Sequence, residues 1–215
     1  VKGNILQTAR TGLEQAKQKI ISGLSDGGQV KRFIERAAIT DLQTTHQIMN
    51  HVQQQSMVYD KQVQDGMKKV EIQSATAQWD DPQAVEASLL RIKNGIDLLA
   101  KKNGWAPEFA DAQKLAAADD VHSSVVGQAL ASGNIEYAQN WARDHISEVD
   151  KATAVALERA VRDGTQRQLS ASYTAQFISA RENPKMLGEL EKTVLADKTL
   201  DDSHKNAIIG SIESR

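Results

Sequence analysis

The sequence predicts an all-α protein, an elongated helical bundle in which one long helix is followed by serial short antiparallel helical hairpins. Three observations support this fold class. Each proline stands where a helix should begin, at Pro82, Pro107 and Pro184, and proline is tolerated in the first turn of a helix but not in its interior. Apolar residues recur at spacings of three and four. No segment shows strand alternation bounded by hairpin turns.

The N-terminal third predicts a helix, a turn and a much longer helix. The first helix ends at the Ser25-Asp26-Gly27-Gly28 break, and its apolar stripe consists of Leu6, Ala9, Leu13, Ala16 and Ile20. The second helix keeps an alternating spacing of four and three, and its length should be about 45 residues because no proline interrupts it. Its seam consists of Ala38, Leu42, Thr45, Met49, Val52, Ser56, Tyr59, Val63, Gly66 and Val70.

This seam is too polar for a stable isolated coiled coil. Seam positions favour Leu, Ile or Val, whereas Thr45, Ser56 and Gly66 interrupt the pattern. We therefore expect the long helix to need neighbours from its own chain or from other subunits. Glutamine is also abundant here, which is consistent with a solvated helix face or with polar contacts between helices. These glutamines are Gln43, Gln47, Gln53, Gln54, Gln55, Gln62 and Gln64.

Shorter helices follow, separated by connections of two to five residues that imply antiparallel neighbours. Asp81 is a predicted N-cap, Ser147 with Asp150 resembles a capping box, and Asp163-Gly164 predicts a stop. The predicted helices cover residues 82–103, 107–132, 135–145, 147–163, 165–181, 184–196 and 201–214. We divide the chain into a helix-turn-long-helix segment at residues 1–78 and a helical hairpin domain at residues 79–215.

Composition narrows the functional classes. The 215 residues are 40% hydrophobic but only 4% aromatic, which indicates a thin, distributed core of small aliphatic side chains. A formal charge of −2 argues against a general nucleic-acid binder, because neutralising phosphates needs an excess of Lys and Arg. Without cysteine, neither a disulfide framework nor a thiolate metal site is available. No apolar run approaches the length of a membrane span.

Because the chain begins at Val1 without an initiator Met, we expect a piece of a longer polypeptide.

The histidines give little support for a metal site. His46 and His51 form the closest pair, but a spacing of five residues turns their rings apart on a helix, so zinc is disfavoured. His145 lies near a helix C-terminus, where it complements the helix dipole.

Asp119, Asp120 and His122 form a polar knot in the middle of a predicted helix. This grouping is consistent with a site, but we expect a solvated helix face with a local histidine interaction. We predict no cofactor, no metal ligands and no catalytic residue anywhere in the chain.

Common catalytic motifs are missing from the sequence. It contains no nucleophile elbow, P-loop, dinucleotide fingerprint or zinc-protease motif. Glu213-Ser214 resembles the Glu-Ser pair of lytic transglycosylases, although the segments that should follow it are absent, which favours coincidence. Trp79, Trp105 and Trp141 are consistent with an exposed contact row, but their places near helix ends favour packing between helices.

Residues 133–138 resemble half of a tetratricopeptide-type hairpin. About 85 residues are similar to the α-helical regions of large tailed-phage structural proteins of the internal-virion or DNA-injection type. The matching pieces are Asp81-Pro82 with Ala84 and Leu89, Gly104-Trp105-Ala106-Pro107-Glu108, Ser132-Gly133-Asn134 with Ala138, and Leu157-Glu158-Arg159-Ala160. The resemblance implies a helical virion component, often part of a polypeptide that also carries a peptidoglycan-degrading domain, and it carries over no catalytic residue.

We therefore expect a non-enzymatic virion structural component that helps to build or line a genome-delivery (ejection) apparatus. Its expected partners are other virion proteins or copies of itself, with no small-molecule substrate and no sequence-specific nucleic acid. Its expected location is the virion, and the host cytoplasm during assembly. Two alternatives stay open. One is a cellular helical-repeat module that captures a protein on a concave surface between Asp81 and Gly164. The other is an accessory helical domain of a peptidoglycan-degrading enzyme.

Overall fold

The structure is a computed structural model that describes residues 2–214, with side chains from residue 7 onward. Over this range the chain forms eight α-helices, one short 3-10 helix and no strand, so the predicted all-α class is confirmed. The helices are α1 (Lys2–Ser22), α2 (Gly27–Ala77), α3 (Pro82–Asn103), α4 (Pro107–Ala131), α5 (Ile135–Asp144), α6 (Lys151–Ala180), α7 (Pro184–Ala196) and α8 (Asp202–Glu213), with the 3-10 helix at Ile146–Glu148.

The chain forms two compact units, Val1–Asp65 and Gly66–Arg215. The change from one unit to the other falls inside α2, which is 51 residues long. A single long helix of about the predicted length is thus confirmed. The predicted division at residue 78 coincides with the end of α2, and as a statement about domains it stays a prediction.

The predicted break at residues 25–28 includes the first residues of α2. The Asp26 carboxylate accepts the N–H of Gly28 at 3.0 Å, and the Asp26 carbonyl accepts the N–H of Val30 at 3.0 Å. A carboxylate at this position satisfies an N–H group that has no partner inside the helix. Gly27 and Gly28 therefore lie in the first turn of α2, and the connection covers residues 23–26, two residues before the predicted break.

The first unit buries little of its surface. In the predicted stripe of α1, Ala9 and Leu13 are half-buried, Ala16 and Ile20 are exposed, and the side chain of Leu6 lies outside the described residues. No side chain between residues 7 and 65 is fully buried.

Helix boundaries in the second unit follow the predicted signals. All three prolines occupy the first turns of their helices, α3, α4 and α7. The Asp81 carboxylate accepts the N–H groups of Gln83 and Ala84 at 3.0 and 3.2 Å, as expected of an N-cap. Gly104 ends α3 with a left-handed φ of 64°, a conformation that glycine adopts without steric cost.

The predicted stop at Asp163-Gly164 is wrong, because α6 continues from Lys151 to Ala180. Gly164 is buried inside this helix. A Cβ atom at this position would lie 2.8 Å from Cδ2 of Leu130 and 3.2 Å from Cδ1 of Ile135. The glycine therefore allows α6 to approach the end of α4 and the start of α5 closely, and it does not end the helix.

The predicted capping box of Ser147 with Asp150 is also wrong. Ser147 lies in the 3-10 helix, and Asp150 is itself the N-cap of α6, where its carboxylate accepts the N–H of Thr153 at 2.6 Å. The carboxylate is one residue before the helix, which is the geometry that a capping oxygen requires.

Two buried clusters hold the second unit together. The first lies between the end of α2 and helices α3 to α6, and it consists mostly of alanine and valine. On α3 the predicted buried face is confirmed at Val85, Leu89, Ile92 and Ile96, while Leu99 is half-buried. The second cluster joins the end of α6 to α7 and α8. Its fully buried members are Tyr173, Leu190, Val194, Leu200, Ile208 and Ile212.

The segment between α7 and α8 is tied to α6 by buried polar groups. Gln166 donates from Nε2 to the carbonyl of Thr199 at 2.6 Å, and its Oε1 accepts the N–H of Asp201 at 2.8 Å. The Tyr173 hydroxyl donates to Asp197 Oδ2 at 2.7 Å. The hydroxyl of Thr199 first, and then the hydroxyl of Tyr173, donate hydrogen bonds to the Asp197 carboxylate and hold its pKa well below its usual range.

Candidate functional site

One face of α2 carries large apolar side chains that are exposed. Leu42, for example, has 74% of its surface accessible. Because successive residues of a helix rotate by about 100°, five of these side chains in the first unit fall within an arc of about 100°. We call this set the α2 stripe: Ile34, Leu42, Met49, Tyr59 and Val63. Four of them belong to the predicted seam, whereas Ile34 was not predicted.

The centre of the α2 stripe is uncharged. Residues 42–59 contain no Asp, Glu, Lys or Arg over 18 positions, in a chain that is 25% charged. Of the predicted glutamine set, Gln64 is half-buried and the others are exposed. A solvated helix face normally carries charged side chains, so a long exposed face without them is typical of a surface that is covered in an assembly.

An open groove of about 1000 Å³ lies beside the α2 stripe, between α1 and α2. Leu13 of α1 and Leu42 and Met49 of α2 contribute apolar walls. Lys17 and Asp41 also line the groove, where they form an ion pair between the two helices. The hydrogen bond to Asp41 raises the pKa of Lys17.

His122 does not lie on a solvated face, which corrects the prediction for this residue. Its side chain is buried, with 1% of the residue's surface accessible, and its Nδ1 accepts the indole N–H of Trp141 at 3.2 Å. The His145 ring lies 4.8 Å from the His122 ring and stacks on Trp141 at 4.0 Å. Glu148 Oε2 lies 3.7 Å from His122 Nε2. We call these four residues the indole–imidazole cluster.

Burial sets the protonation state of this cluster. Burial first, and then the charge of His145, lower the pKa of His122 to about 4, although Glu148 acts in the opposite direction. His122 is therefore neutral at neutral pH. Because its Nδ1 accepts the indole N–H, the proton of the neutral ring resides on Nε2.

The two carboxylates of the predicted polar knot are engaged elsewhere. Asp119 accepts the backbone N–H of Asp150 at 2.9 Å, next to the start of α6. Asp120 pairs with Lys68 at 2.7 Å. In the structure, Asp119 therefore connects two helices, Asp120 forms a surface ion pair, and His122 is a buried imidazole. Among the described residues, no group of three or more His, Asp or Glu side chains is arranged to hold a metal ion.

The remaining candidate residues lie on an exposed helix face or at the end of a helix. His46 and His51 are both exposed on α2. His145 caps the end of α5, where its Nδ1 lies 2.9 Å from the carbonyl oxygen of Trp141. Glu213 and Ser214 are exposed at the end of α8.

The tryptophans pack between helices, as predicted. Trp141 belongs to the first buried cluster, and Trp79 and Trp105 pack against it. The Trp79 ring meets Tyr137 edge-on at 5.0 Å, and the Trp105 ring meets Phe109 edge-on at 4.9 Å. Edge-to-face contacts of this kind are a favourable geometry for aromatic pairs.

Comparison of the chain with protein-family models, with curated proteins and with solved structures gives no match. Within residues 2–214, none of the helices combines the length and the apolar character needed to cross a membrane. The resemblance to tailed-phage structural proteins therefore stays a prediction, and the surfaces described above carry the functional argument.

Proposed function

We propose that this protein is a non-enzymatic structural component of a phage virion, which helps to build or line the apparatus that delivers the genome. The observation that carries this proposal is the α2 stripe, a long exposed apolar face whose central residues 42–59 include no Asp, Glu, Lys or Arg. The resemblance of residues 81–160 to internal-virion proteins supports the setting.

The physical reason for assembly is the free energy of the exposed stripe. Burying a large aliphatic or methionine side chain contributes about 1.5 to 3 kcal/mol. The α2 stripe leaves five large apolar side chains exposed along one helix face. Association that covers them recovers part of this free energy and replaces contacts that the first unit lacks internally.

The absence of enzymatic activity is supported by what the polar residues do. Asp119 and Asp150 connect helices, and Gln166 fixes the turn before α8. His122 accepts a hydrogen bond inside the core. Each of these groups has a hydrogen-bond partner within the fold.

Mass spectrometry of gradient-purified particles of the source phage tests the proposed function. We expect peptides from both units, at an abundance comparable to that of other minor virion proteins. Particles that lack this polypeptide, while the infected-cell lysate contains it, would contradict the proposal. A lysate from cells infected by a mutant that lacks the gene serves as the control.

An assay for release of muropeptides from purified peptidoglycan tests the non-enzymatic part. We expect no release by the 215-residue chain above that of a buffer control. Release by the chain would contradict the non-enzymatic assignment and would favour the alternative of a domain in a peptidoglycan-degrading enzyme.

A further inference from the structure

We infer that the partner of the α2 stripe is the α2 stripe of a second copy of this chain. This inference rests on the proposed function and names the partner of the assembly surface. It follows from the charge of the stripe, its dimensions and the groove that lies beside it.

Charge favours a second copy. Where two identical surfaces meet at a twofold axis, a charged side chain near the axis faces its own counterpart, and like charges at an interface oppose association. Residues 42–59 avoid this cost because they contain no Asp, Glu, Lys or Arg. A strongly acidic or basic partner would find no complementary charge on this part of α2. The uncharged residues therefore favour a partner surface that is also uncharged.

The dimensions of the stripe match those of a stable interface. From Ile34 to Val63, α2 rises about 44 Å at about 1.5 Å per residue. A contact strip about 12 Å wide along this length covers about 520 Å² on each chain, or about 1,040 Å² in total. A biological interface should bury at least about 1,000 Å² in total, and the stripe reaches this size.

The groove between α1 and α2 provides room for the partner helix. It is open, has a volume of about 1000 Å³, and contains two members of the stripe, Leu42 and Met49, together with Leu13 of α1. A second copy of α2 that lies along the stripe would therefore contact α1 as well. The polar seam position Thr45, which makes a two-helix contact weak, also lines this groove and would gain α1 as an additional neighbour.

Sedimentation velocity of the full chain over a hundredfold range of concentration tests the inference. We expect a concentration-dependent dimer or larger homo-oligomer. Leu42→Glu and Met49→Glu place a carboxylate in the uncharged part of the stripe, and each should raise the dissociation constant at least tenfold. Both side chains are exposed, so circular dichroism should show the same helix content as the unmodified chain.

Leu98→Glu is the matched control. Leu98 lies on α3 with 71% of its surface accessible, close to the 74% of Leu42, so the two substitutions add the same charge at equally exposed leucines. We expect Leu98→Glu to leave the dissociation constant unchanged. An unmodified chain that stays monomeric at every concentration, or an equal effect of Leu98→Glu and Leu42→Glu, would overturn the inference.

The outcomes of this experiment and of the particle analysis are independent. A monomeric chain that is nevertheless recovered in purified particles would remove the second copy as the partner and leave the proposed function standing. A self-associating chain that is missing from particles would remove the virion function and leave the homotypic contact standing.

Discussion

At the scale of single residues, His122 links the stability of the second unit to pH. Its imidazole is buried, and its Nδ1 accepts the indole N–H of Trp141 across the interface between α4 and α5. Burial and the neighbouring His145 disfavour the charged form, whereas Glu148 favours it. Burial dominates, so the native state holds this ring neutral over a range of pH in which the unfolded chain binds a proton.

Lowering the pH from 7 to 5 should therefore destabilise the second unit. The folded pKa of His122 is lowered from 6.5 to about 4, so its contribution is present above pH 6.5 and is lost as the pH falls toward 4. From the linkage relation, His122 should account for a decrease of about 2 kcal/mol in the free energy of unfolding over this interval. Urea denaturation monitored by circular dichroism at both pH values measures it.

The control is His122→Asn, which retains an acceptor for the indole N–H but does not titrate in this range. The variant should be less stable at pH 7, because its smaller side chain leaves a cavity. Its dependence on pH between 7 and 5 should be smaller by about 2 kcal/mol than that of the unmodified chain. An equal dependence in both proteins would show that His122 is not the responsible group.

At the scale of elements, α6 shows how packing overrides local stop signals. The helix passes through Gly164, which the sequence predicts as an end, and at this glycine the side chains of Leu130 and Ile135 approach the backbone closely. Two positions later, Gln166 faces the turn between α7 and α8 and binds it through both side-chain atoms. Within a single turn, α6 thus approaches the end of α4 and the start of α5 at Gly164 and binds the turn before α8 through Gln166, which lies about 200° further around the helix.

Alanine substitution at two helical glycines should have opposite effects. Gly164→Ala should lower the free energy of unfolding by about 1 kcal/mol, because overpacking against Leu130 and Ile135 outweighs the better helix propensity of alanine. Gly127→Ala, on α4 with open space around its Cβ position, should raise it by about 0.5 to 1 kcal/mol. Thermal and urea denaturation of both variants measure the two signs, and stabilisation by Gly164→Ala would contradict the close approach.

Gln166→Ala should destabilise the C-terminal helices. The substitution removes both hydrogen bonds to the turn and leaves the Thr199 carbonyl and the Asp201 N–H without these partners, at a cost of about 1 to 3 kcal/mol. Hydrogen exchange of the α8 amides should accelerate accordingly. Gln168→Ala, at an exposed position of the same helix, is the matched control and should leave these rates unchanged. Equal effects of the two substitutions would show that Gln166 does not hold the turn.

At the scale of the whole molecule, burial is distributed unequally between the two units. Both buried clusters belong to Gly66–Arg215, whereas residues 7–65 contain no fully buried side chain. Hydrophobic burial is the main favourable contribution to folding, so the first unit has little internal stabilisation of its own. Contacts supplied by another chain would explain both the exposed α2 stripe and the low burial of the first unit.

Hydrogen exchange should therefore show two levels of protection that respond differently to concentration. In dilute solution, amides of residues 27–65 should exchange at least about a hundredfold faster than those of α4, because local unfolding of the first unit disrupts few buried contacts. Raising the protein concentration should slow exchange at residues 27–65 and leave α4 unchanged, because association stabilises only the state that binds. Protection of residues 27–65 that is high and independent of concentration would contradict this prediction.

Sequence alone predicted the features that depend on interactions over three or four residues. The prolines at positions 82, 107 and 184 start helices because their fixed φ and missing N–H suit only a first turn. Asp81 caps α3, and Gly104 ends it, through contacts within their own turns. The spacing of the seam likewise predicted a single long helix, because helical periodicity is a local property.

Only the tertiary structure decided which surfaces are covered. Gly164 resembles a helix end in sequence, but the proximity of Leu130 and Ile135 makes it a packing position. His122 is polar and follows two aspartates, yet the placement of Trp141 turns it into a buried acceptor. The seam of α2 is apolar in sequence, but its exposure depends on which helices pack against it. Local signals act through the backbone within one turn, whereas burial depends on residues distant in the chain, and that is why these outcomes required the fold.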